Sequence, residues 1–345
     1  MSTQTDIFDS DAVEQLRKDL RMDPQVVRTL RNRLLKKFLP DSVAMADFAA
    51  AERLSCHSLE LFRRFDSEID GATKLLFRTS AGLLIEAVIL RSASGRTTLC
   101  VSSQVGCAAA CDFCATGKMG IARDLTATEI LDQVLQAGQL LTRESRRLHN
   151  IVFMGMGEPF HNERHLNHVI ETLTSPKLFD RSPSSILVST VGIPDAMLRF
   201  AERFPNVNLA LSLHSADQTT RQRIIPLAAK YPLTQLRDTL ATVNRIQQRE
   251  VMIEYLMLAG QNDSPAAAEQ LMAWLHGLNV HVNLIPYNAI EDAPHLSGTR
   301  HDDITTFAAN LKSAGFKTTV RYSLGNDIAA ACGQLVQREN RQLAR

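Results

Sequence analysis

From residue 97 onward the chain alternates short apolar runs, rich in β-branched residues, with helical stretches, and this alternation constrains the fold more than any other feature. The predicted strands cover residues 97–102, 151–156, 186–190, 207–213, 251–258, 280–286 and 318–322. A helical pattern at 127–141 follows a capping box formed by Thr126 and Glu129. Because repeated strand–helix units build a parallel sheet, these seven strands predict an α/β fold with a (β/α) barrel or part of one.

The first 75 residues have a different pattern, helical and charged, with predicted helices over 11–20, 24–38, 45–54 and 58–65. Residues 76–92 are typical of a β-hairpin that turns at Ala81 and Gly82. We therefore expect a small helical N-terminal accessory domain over 1–75, a hairpin linker over 76–92, a barrel core over 93–335 and a polar tail over 336–345.

One predicted helix of this accessory domain carries five basic residues between its leucines. Either this is an ordinary solvated helix face, which the pattern slightly favours, or it is a patch that contacts RNA phosphates. If RNA is bound, we expect this segment to dock it. The five residues are Arg28, Arg31, Arg33, Lys36 and Lys37.

Composition narrows the function classes. The chain has 345 residues, 45% of them hydrophobic, which suffices for one large domain and a smaller one. The net charge is +1, so any nucleic-acid binding must come from a local patch. No apolar run approaches the length of a membrane span, and the N-terminus is polar and acidic, unlike a signal peptide. Six cysteines are too few for a disulfide scaffold, so we expect a cytoplasmic protein.

Three of these cysteines, Cys107, Cys111 and Cys114, form a CxxxCxxC motif. Three thiolates leave one iron of a [4Fe–4S] cluster with an open position, at which a substrate or cofactor can bind. A structural zinc site is the alternative, and it normally needs four tetrahedral ligands. Cys100 could supply the fourth, but zinc ligands usually come as two close pairs, so the spacing favours the cluster.

Polar residues follow several predicted strands, at the end of a barrel where chemistry usually collects. Each alone is a weak signal, since a surface glutamate or a core histidine is commoner than a ligand. Together, behind a three-cysteine motif, they favour an enzyme. They are Gly157 and Glu158, Ser189, Ser212, Leu213 and His214, and Asn288.

The cysteine motif resembles that of radical S-adenosylmethionine (SAM) enzymes, and the wider sequence resembles the RlmN/Cfr family, which methylates an adenine of 23S ribosomal RNA. The resemblance runs from about residue 86 to residue 335, and chance agreement over so many separate segments is negligible. The matching segments are 100–107, 113–117, 154–158, 212–214, 260–264, 282–286 and 327–335.

This resemblance implies a partial (β/α)6-type radical SAM barrel, one [4Fe–4S] cluster on Cys107, Cys111 and Cys114, and two SAM molecules per turnover. It also implies SAM contacts at the seven strand-end residues named above. Cys332 would carry the methyl group as a methyl-cysteine intermediate. Cys100 would then release the product by attacking the Cys332 sulfur, with a transient disulfide between them.

The resemblance further implies that Glu86 accepts the proton of the adenine C–H bond. It implies 23S rRNA as substrate, with tRNA left open as a second one, and an electron donor such as flavodoxin or ferredoxin. We expect a monomer without a membrane partner. Methylation at C2 or at C8 stays open, because the chain combines features of both branches of the family.

Two other functions remain as alternatives. A zinc-stabilised RNA-binding protein without catalysis would use the cysteines only as a structural site. A radical enzyme acting on a protein or a small molecule would not need the pair formed by Cys100 and Cys332, which disfavours it.

Overall fold

The computed structural model describes residues 4–120 and 122–335, so the predicted polar tail at 336–345 lies outside the described residues. Among these residues no helix is both long and apolar enough to cross a membrane. The strands are β1 (Thr5–Asp6), β2 (Leu54–Ser55), β3 (Leu59–Asp66), β4 (Ala72–Thr79), β5 (Leu84–Arg91), β6 (Thr97–Cys100), β7 (Gln104–Gly106), β8 (Ala122–Asp124), β9 (Asn150–Phe153), β10 (Ile186–Thr190), β11 (Asn208–Ser212), β12 (Val251–Met257), β13 (Val280–Pro286) and β14 (Lys317–Val320). The helices are α1 (Ser10–Asp19), α2 (Pro24–Arg31), α3 (Asp41–Ala44), α4 (Ala127–Arg143), α5 (Glu163–Thr174), α6 (Pro194–Arg203), α7 (Gln218–Ile224), α8 (Leu233–Gln247), α9 (Pro265–Leu275) and α10 (His301–Ser313).

Ten of the strands form one sheet in the order β14-β13-β12-β11-β10-β9-β6-β5-β4-β3. From β6 to β14 all neighbours are parallel, because a helical connection returns the chain to the same end of the sheet after each strand. β5, β4 and β3 extend the sheet as antiparallel strands. The sheet keeps two edges, β14 and β3, and the predicted partial (β/α)6-type barrel is confirmed.

Most of the predicted elements of the barrel are present with small shifts at their ends. The hairpin predicted around Ala81 and Gly82 is β4 and β5, with Gly82 at a φ of 80° in the turn. The capping box at the start of α4 is also present, since Thr126 Oγ1 accepts from Glu129 N and the Glu129 carboxylate accepts from Thr126 N. Local signals therefore sufficed where strands and helices alternate.

Two helices predicted near the N-terminus are wrong. Residues 58–65 form most of strand β3, which pairs with β4 along its whole length. Residues 45–54 hold only a short 3₁₀ turn at Ala51–Arg53 and the start of β2. In the first case Leu59 and Phe62 have the spacing of a helix face, but cross-strand pairing with β4 overrides this local preference. The expected boundary near residue 75 consequently falls inside β4.

The two faces of the sheet have different environments. Ile151 and Phe153 of β9 point outward into the core beneath the helices, while Val152 between them points inward. The same alternation places Asn283 of β13 inward and Val282 outward. The inward residues line a cavity of about 720 Å³ inside the barrel. The inner face therefore carries the polar and reactive groups.

The segment 323–335 crosses the open side of the barrel, between β14 and β4. Gly325 N donates to Asp70 Oδ2 at 2.7 Å, and Ser67 Oγ donates to Asp327 Oδ1 at 2.8 Å. These bonds fasten the segment to the turn between β3 and β4. The loop that carries Cys332 is thus held against the inner face of the sheet.

Candidate active site

The three-cysteine motif lies in the loop between β7 and β8, at the carboxyl end of the parallel strands. The loop is tightly wound: Cys114 N donates to Cys111 O at 3.2 Å, and Ala110 has a φ of 53°. A Cβ atom at Gly117 would lie 2.9 Å from Cys111 N, so a glycine is needed for this close approach. The backbone therefore fixes the positions of the three thiols.

These three thiols fit an iron–sulfur cluster. All three are free, and burial raises the pKa of Cys107 to about 12 and that of Cys111 well above its ordinary value. Metal binding would therefore have to displace their protons. Among residues 4–120 and 122–335, no three His, Cys, Asp or Glu side chains gather around a single ion position. In a [4Fe–4S] cluster each of three cysteines would bind a different iron, which matches this set of three thiol donors.

The Cys332 loop lies directly against the cysteine motif. Ala115 N donates to Gly333 O at 2.8 Å, and Thr116 Oγ1 donates to Leu335 O at 2.6 Å. Asn288, one of the residues predicted from the strand ends, donates through Nδ2 to Cys332 O at 3.1 Å. The structure thus brings together residues that are far apart in the sequence.

Three cysteines line the barrel cavity: Cys100, Cys114 and Cys332. Cys100 ends β6, where it pairs with Val88 and Val152, and burial raises the pKa of its thiol to about 12. The Cys332 side chain is exposed to the cavity, yet the surrounding protein raises the pKa of its thiol to about 12 as well. A disulfide between Cys100 and Cys332 is not formed, and both are free thiols.

Glu86 is buried in β5, on the same face of the sheet as Val88, which lines the cavity. Its Oε1 lies 3.1 Å from Nζ of Lys74, a buried residue of β4 that also donates to Ala329 O at 3.3 Å. Lys74 therefore connects Glu86 to the loop that carries Cys332. In the sequence, the only signal for this lysine is a charge inside an apolar strand, which does not indicate its partners.

Gly157 and Glu158 follow β9 in a buried turn. A Cβ atom at Gly157, whose φ is 108°, would lie 2.7 Å from Gln104 Cβ. The two Glu158 carboxylate oxygens accept from Phe160 N at 3.0 Å and Val191 N at 2.9 Å, while burial raises its pKa to about 7. The turn is held in one conformation beside the cysteine motif.

Ser189 and Ser212 end neighbouring strands and share one partner, Glu254 of β12. Glu254 Oε2 accepts from Ser189 Oγ at 2.7 Å and from Ser212 Oγ at 3.1 Å. Its Oε1 is buried and has no hydrogen-bond partner within the described residues. A buried carboxylate oxygen without a donor is costly, which fits a ligand that brings a hydroxyl or ammonium group. In the sequence, Glu254 is visible only as a lone charge in an apolar run.

Leu213 and His214 continue from β11. Leu213 is buried, and its N donates to Glu254 O at 3.0 Å. Burial lowers the pKa of His214 to about 3, so the ring is neutral and its Nδ1 accepts from Leu256 N at 3.0 Å. The ring meets Phe113 of the cysteine loop edge-on, with centroids 4.8 Å apart. His214 thus packs the strand ends against the cysteine motif.

The five basic residues of the N-terminal segment do not form one solvated face. Arg31 is buried and donates to Ser10 O. Arg33 pairs with Asp47 at 2.6 Å, and Lys36 pairs with Asp180 at 3.0 Å. The remaining two, Arg28 and Lys37, are exposed.

Comparison with known proteins agrees with this geometry. Residues 101–272 match the model of the Radical SAM superfamily. A Rhodopirellula baltica protein named as a probable RNA methyltransferase is 63% identical over 98% of this chain and 89% of its own length. A dual-specificity RNA methyltransferase RlmN of Desulfotalea psychrophila is 39% identical over 90% of this chain and 89% of its own.

A solved structure has the same fold along nearly the whole chain. A radical SAM methyltransferase from Sphaerobacter thermophilus has a TM-score of 0.89 and 37% identity, covering 94% of this chain and 96% of the other. With relatives of this similarity along nearly the whole chain, the resemblance noted in the sequence is confirmed. The chain belongs to the RlmN/Cfr family of radical SAM RNA methyltransferases.

Proposed function

We propose that this protein methylates an adenine carbon, C2 or C8, of 23S rRNA through a methyl-cysteine intermediate, with tRNA as a second substrate. The observation that carries the proposal is the cavity itself, which Cys100, Cys114 and Cys332 line together. A thiol that carries a methyl group must reach both the radical source and the RNA base, and a shared cavity meets this requirement. The dual specificity in the names of the relatives supports a second RNA substrate.

The residues at the strand ends fit the two cofactors. Cys107, Cys111 and Cys114 would hold the [4Fe–4S] cluster, while Gly157, Glu158, Ser189, Ser212, Leu213, His214 and Asn288 would hold SAM. When bound, this pair supplies a methyl group and a 5′-deoxyadenosyl radical, with two SAM molecules used per turnover. We infer a flavodoxin or ferredoxin as the electron donor and a monomeric enzyme.

The remaining steps of the proposed reaction are assigned to three residues of the protein. Cys332 accepts the methyl group on its sulfur, and after loss of a hydrogen atom the remaining CH2 radical bonds to the adenine carbon. The adduct returns its unpaired electron to the electron carrier, and Glu86 takes the proton from the former C–H carbon. The Cys100 thiolate then attacks the Cys332 sulfur, so the carbon–sulfur bond breaks and a disulfide forms. The released carbon keeps the electron pair of that bond and takes up a proton, which leaves a methyl group on the RNA.

The N-terminal residues up to about 58, which precede the large sheet, would form the accessory part of the enzyme. The catalytic part would begin with β3. This division is an inference from the topology, in which β3 is the first strand of the ten-stranded sheet.

Anaerobic reconstitution tests the proposal directly. We expect about four irons and four sulfides per chain, and methylation of an unmodified 23S rRNA transcript. Mass spectrometry of the digested nucleosides separates 2-methyladenosine from 8-methyladenosine.

Replacing Cys107, Cys111 or Cys114 with Ala should abolish both the cluster and SAM cleavage, whereas Cys56→Ala, outside the cavity, should leave both intact. A colourless zinc protein that only binds RNA would contradict the proposal in favour of the zinc alternative.

A further inference from the structure

The edge strand β3 is unusually exposed for a strand of such apolar and basic sequence. It is the last strand of the ten-stranded sheet, so one side of its backbone has no neighbouring strand among the described residues. Phe62 is 41% exposed and Leu61 44% exposed, beside the exposed Arg63. Large apolar side chains at a free edge point to a partner.

A register shift between Leu61 and Arg63 shapes this edge. The shift is a β-bulge, which turns neighbouring side chains of one strand toward the same side. As a result the Phe62 ring lies close to two guanidinium groups. Its centroid is 3.9 Å from Cζ of Arg78 and 6.0 Å from Cζ of Arg63. An exposed ring with cations beside it is a surface on which a nucleobase can stack.

The edge is continuous with the active site through the strand register. One row of opposed residues runs from Arg63 through Leu76 to Glu86. Opposed residues point to the same face of the sheet, and neighbouring strands lie roughly 5 Å apart. The Cα atom of Arg63 is therefore about 10 Å from the Cα atom of Glu86, two strands away. The exposed edge and the proposed proton acceptor therefore share the inner face of the sheet.

A second row, next to the first, leads to the proposed resolving cysteine. It runs from Phe65 through Lys74 and Val88 to Cys100. The first two side chains of this row are also in contact, since Lys74 Nζ lies 5.2 Å from the Phe65 ring centroid. An RNA strand entering over β3 would thus reach both reactive groups along one surface.

Charge favours RNA as the occupant. Arg64 pairs with Asp66 at 2.8 Å and Arg78 with Glu60 at 3.0 Å, but Arg63 has no salt bridge within the part of the chain that the structure describes. Its guanidinium Cζ lies 6.0 Å from the ring centroid of Phe62 and 5.6 Å from that of Phe65. A cation held on aromatic rings beside an active site is suited to a phosphate next to a stacked base.

We propose that the edge of β3, formed by Phe62, Arg63 and Phe65 with Arg78, docks the single-stranded RNA that flanks the target adenine. A base stacks on Phe62, a phosphate contacts Arg63, and the adenine reaches the cavity past Lys74. This rests on the proposed RNA methylation and adds to it the surface that holds the substrate strand.

Binding of an unmodified 23S rRNA transcript to the cluster-loaded protein tests this surface. Phe62→Ala should weaken binding about tenfold, the effect of losing one base–aromatic stack. Phe62→Trp should restore it. Arg63→Ala should lower the slope of log affinity against log salt by about 1. Arg203→Ala is the control, because Arg203, the last residue of α6, also lies over a phenylalanine ring, that of Phe204, but outside the proposed docking surface.

Two readouts separate failure of this surface from failure of the proposed function. SAM cleavage without RNA should be equal in all variants and in the wild type, and unfolding curves should show that each variant is folded. If the wild type methylates RNA and the Phe62 and Arg63 variants bind it as tightly, the docking surface is wrong while the function stands. A change of oligomeric state in place of RNA affinity would assign the edge to a second copy of the chain and overturn the inference.

Discussion

Lys74 and Glu86 form a buried ion pair at 3.1 Å, and the same lysine donates to the backbone of the Cys332 loop at Ala329. The pair lies on adjacent strands, β4 and β5, on the inner face of the sheet. It therefore links the carboxylate proposed to accept a proton with the loop proposed to carry the methyl group. Lys74 is best described as a positioning residue, since it contacts both without a place in the reaction itself.

Removing the lysine should destabilise the protein and misplace the carboxylate. Lys74→Gln leaves Glu86 buried without its cation, and breaking such a pair typically costs about 3–5 kcal/mol in the free energy of unfolding. Urea unfolding of the apo-protein measures this. The double variant Lys74→Gln with Glu86→Gln should recover part of the loss, because no uncompensated charge is then buried. If the double variant instead loses as much stability as the two single variants together, the two residues are not coupled.

A histidine held between two carboxylates predicts how the stability of the protein depends on pH. His57 lies between Asp132, 2.7 Å away, and Asp41, 2.9 Å away. Burial opposes protonation of His57, but its hydrogen bonds to Asp132 and Asp41 outweigh this and raise its pKa from 6.5 to about 10. Because the folded state holds the proton more tightly, the stabilisation is complete below pH 6.5 and is lost as the pH rises toward 10.

Denaturant midpoints between pH 6 and pH 10 test this. The wild type should lose stability across that range more steeply than His57→Gln, since the variant has no group to deprotonate. His168→Gln, at an exposed position of α5, is the control and should follow the wild type. Parallel pH curves for the wild type and His57→Gln would contradict the assignment.

How far the sequence predicts this structure depends on the range of the interactions involved. The strand–helix alternation and the capping box of α4 are local patterns, and they predicted the barrel well. The helix predicted over 58–65 failed because the register with β4, which is a long-range pairing, decides that segment. Lys74 and Glu254 were visible only as charges inside apolar runs, without any indication of their partners.

The family motif indicated candidate residues of the site, but not their contacts. It pointed to Cys332 as a candidate, but not to the hydrogen bond from Ala115 to Gly333 that holds the loop against the cysteine motif. It indicated Glu158 as a SAM contact, but not the backbone donors that both of its carboxylate oxygens have in the structure. Such contacts depend on loop conformations set by distant parts of the chain, so no local pattern contains them.

The turn at Gly157 provides a test of the strand-end site. Gly157→Ala would bring a Cβ atom 2.7 Å from Gln104 Cβ, at a φ of 108° that strains any other residue. We expect a loss of about 1–3 kcal/mol in stability and weaker SAM binding by the cluster-loaded protein, measured by equilibrium dialysis. Gly260→Ala is the matched control, since its φ is 67° but no atom lies within 4 Å. Normal SAM affinity in Gly157→Ala would remove this turn from the cofactor site.

Substitutions of Cys332 and Cys100 should block the proposed reaction at different steps. Cys332→Ala cannot accept the methyl group, so free and unmodified RNA should remain. Cys100→Ala should still be methylated on Cys332 and bond to RNA, but without the attacking thiolate it should accumulate as a covalent protein–RNA adduct. A denaturing gel measures this as a band of raised mass that ribonuclease removes.

Cys56→Ala is the control for these two variants, because Cys56 is buried near Met45, away from the cavity that Cys100 and Cys332 line. It should form no stable adduct and should turn over normally. The two proposed roles come from the resemblance to the family, and the structure gives only the positions of the two cysteines: Cys332 lies on the loop that is bonded to the cysteine motif, while Cys100 ends a strand of the barrel wall. An adduct in Cys332→Ala, with none in Cys100→Ala, would reverse the two assignments.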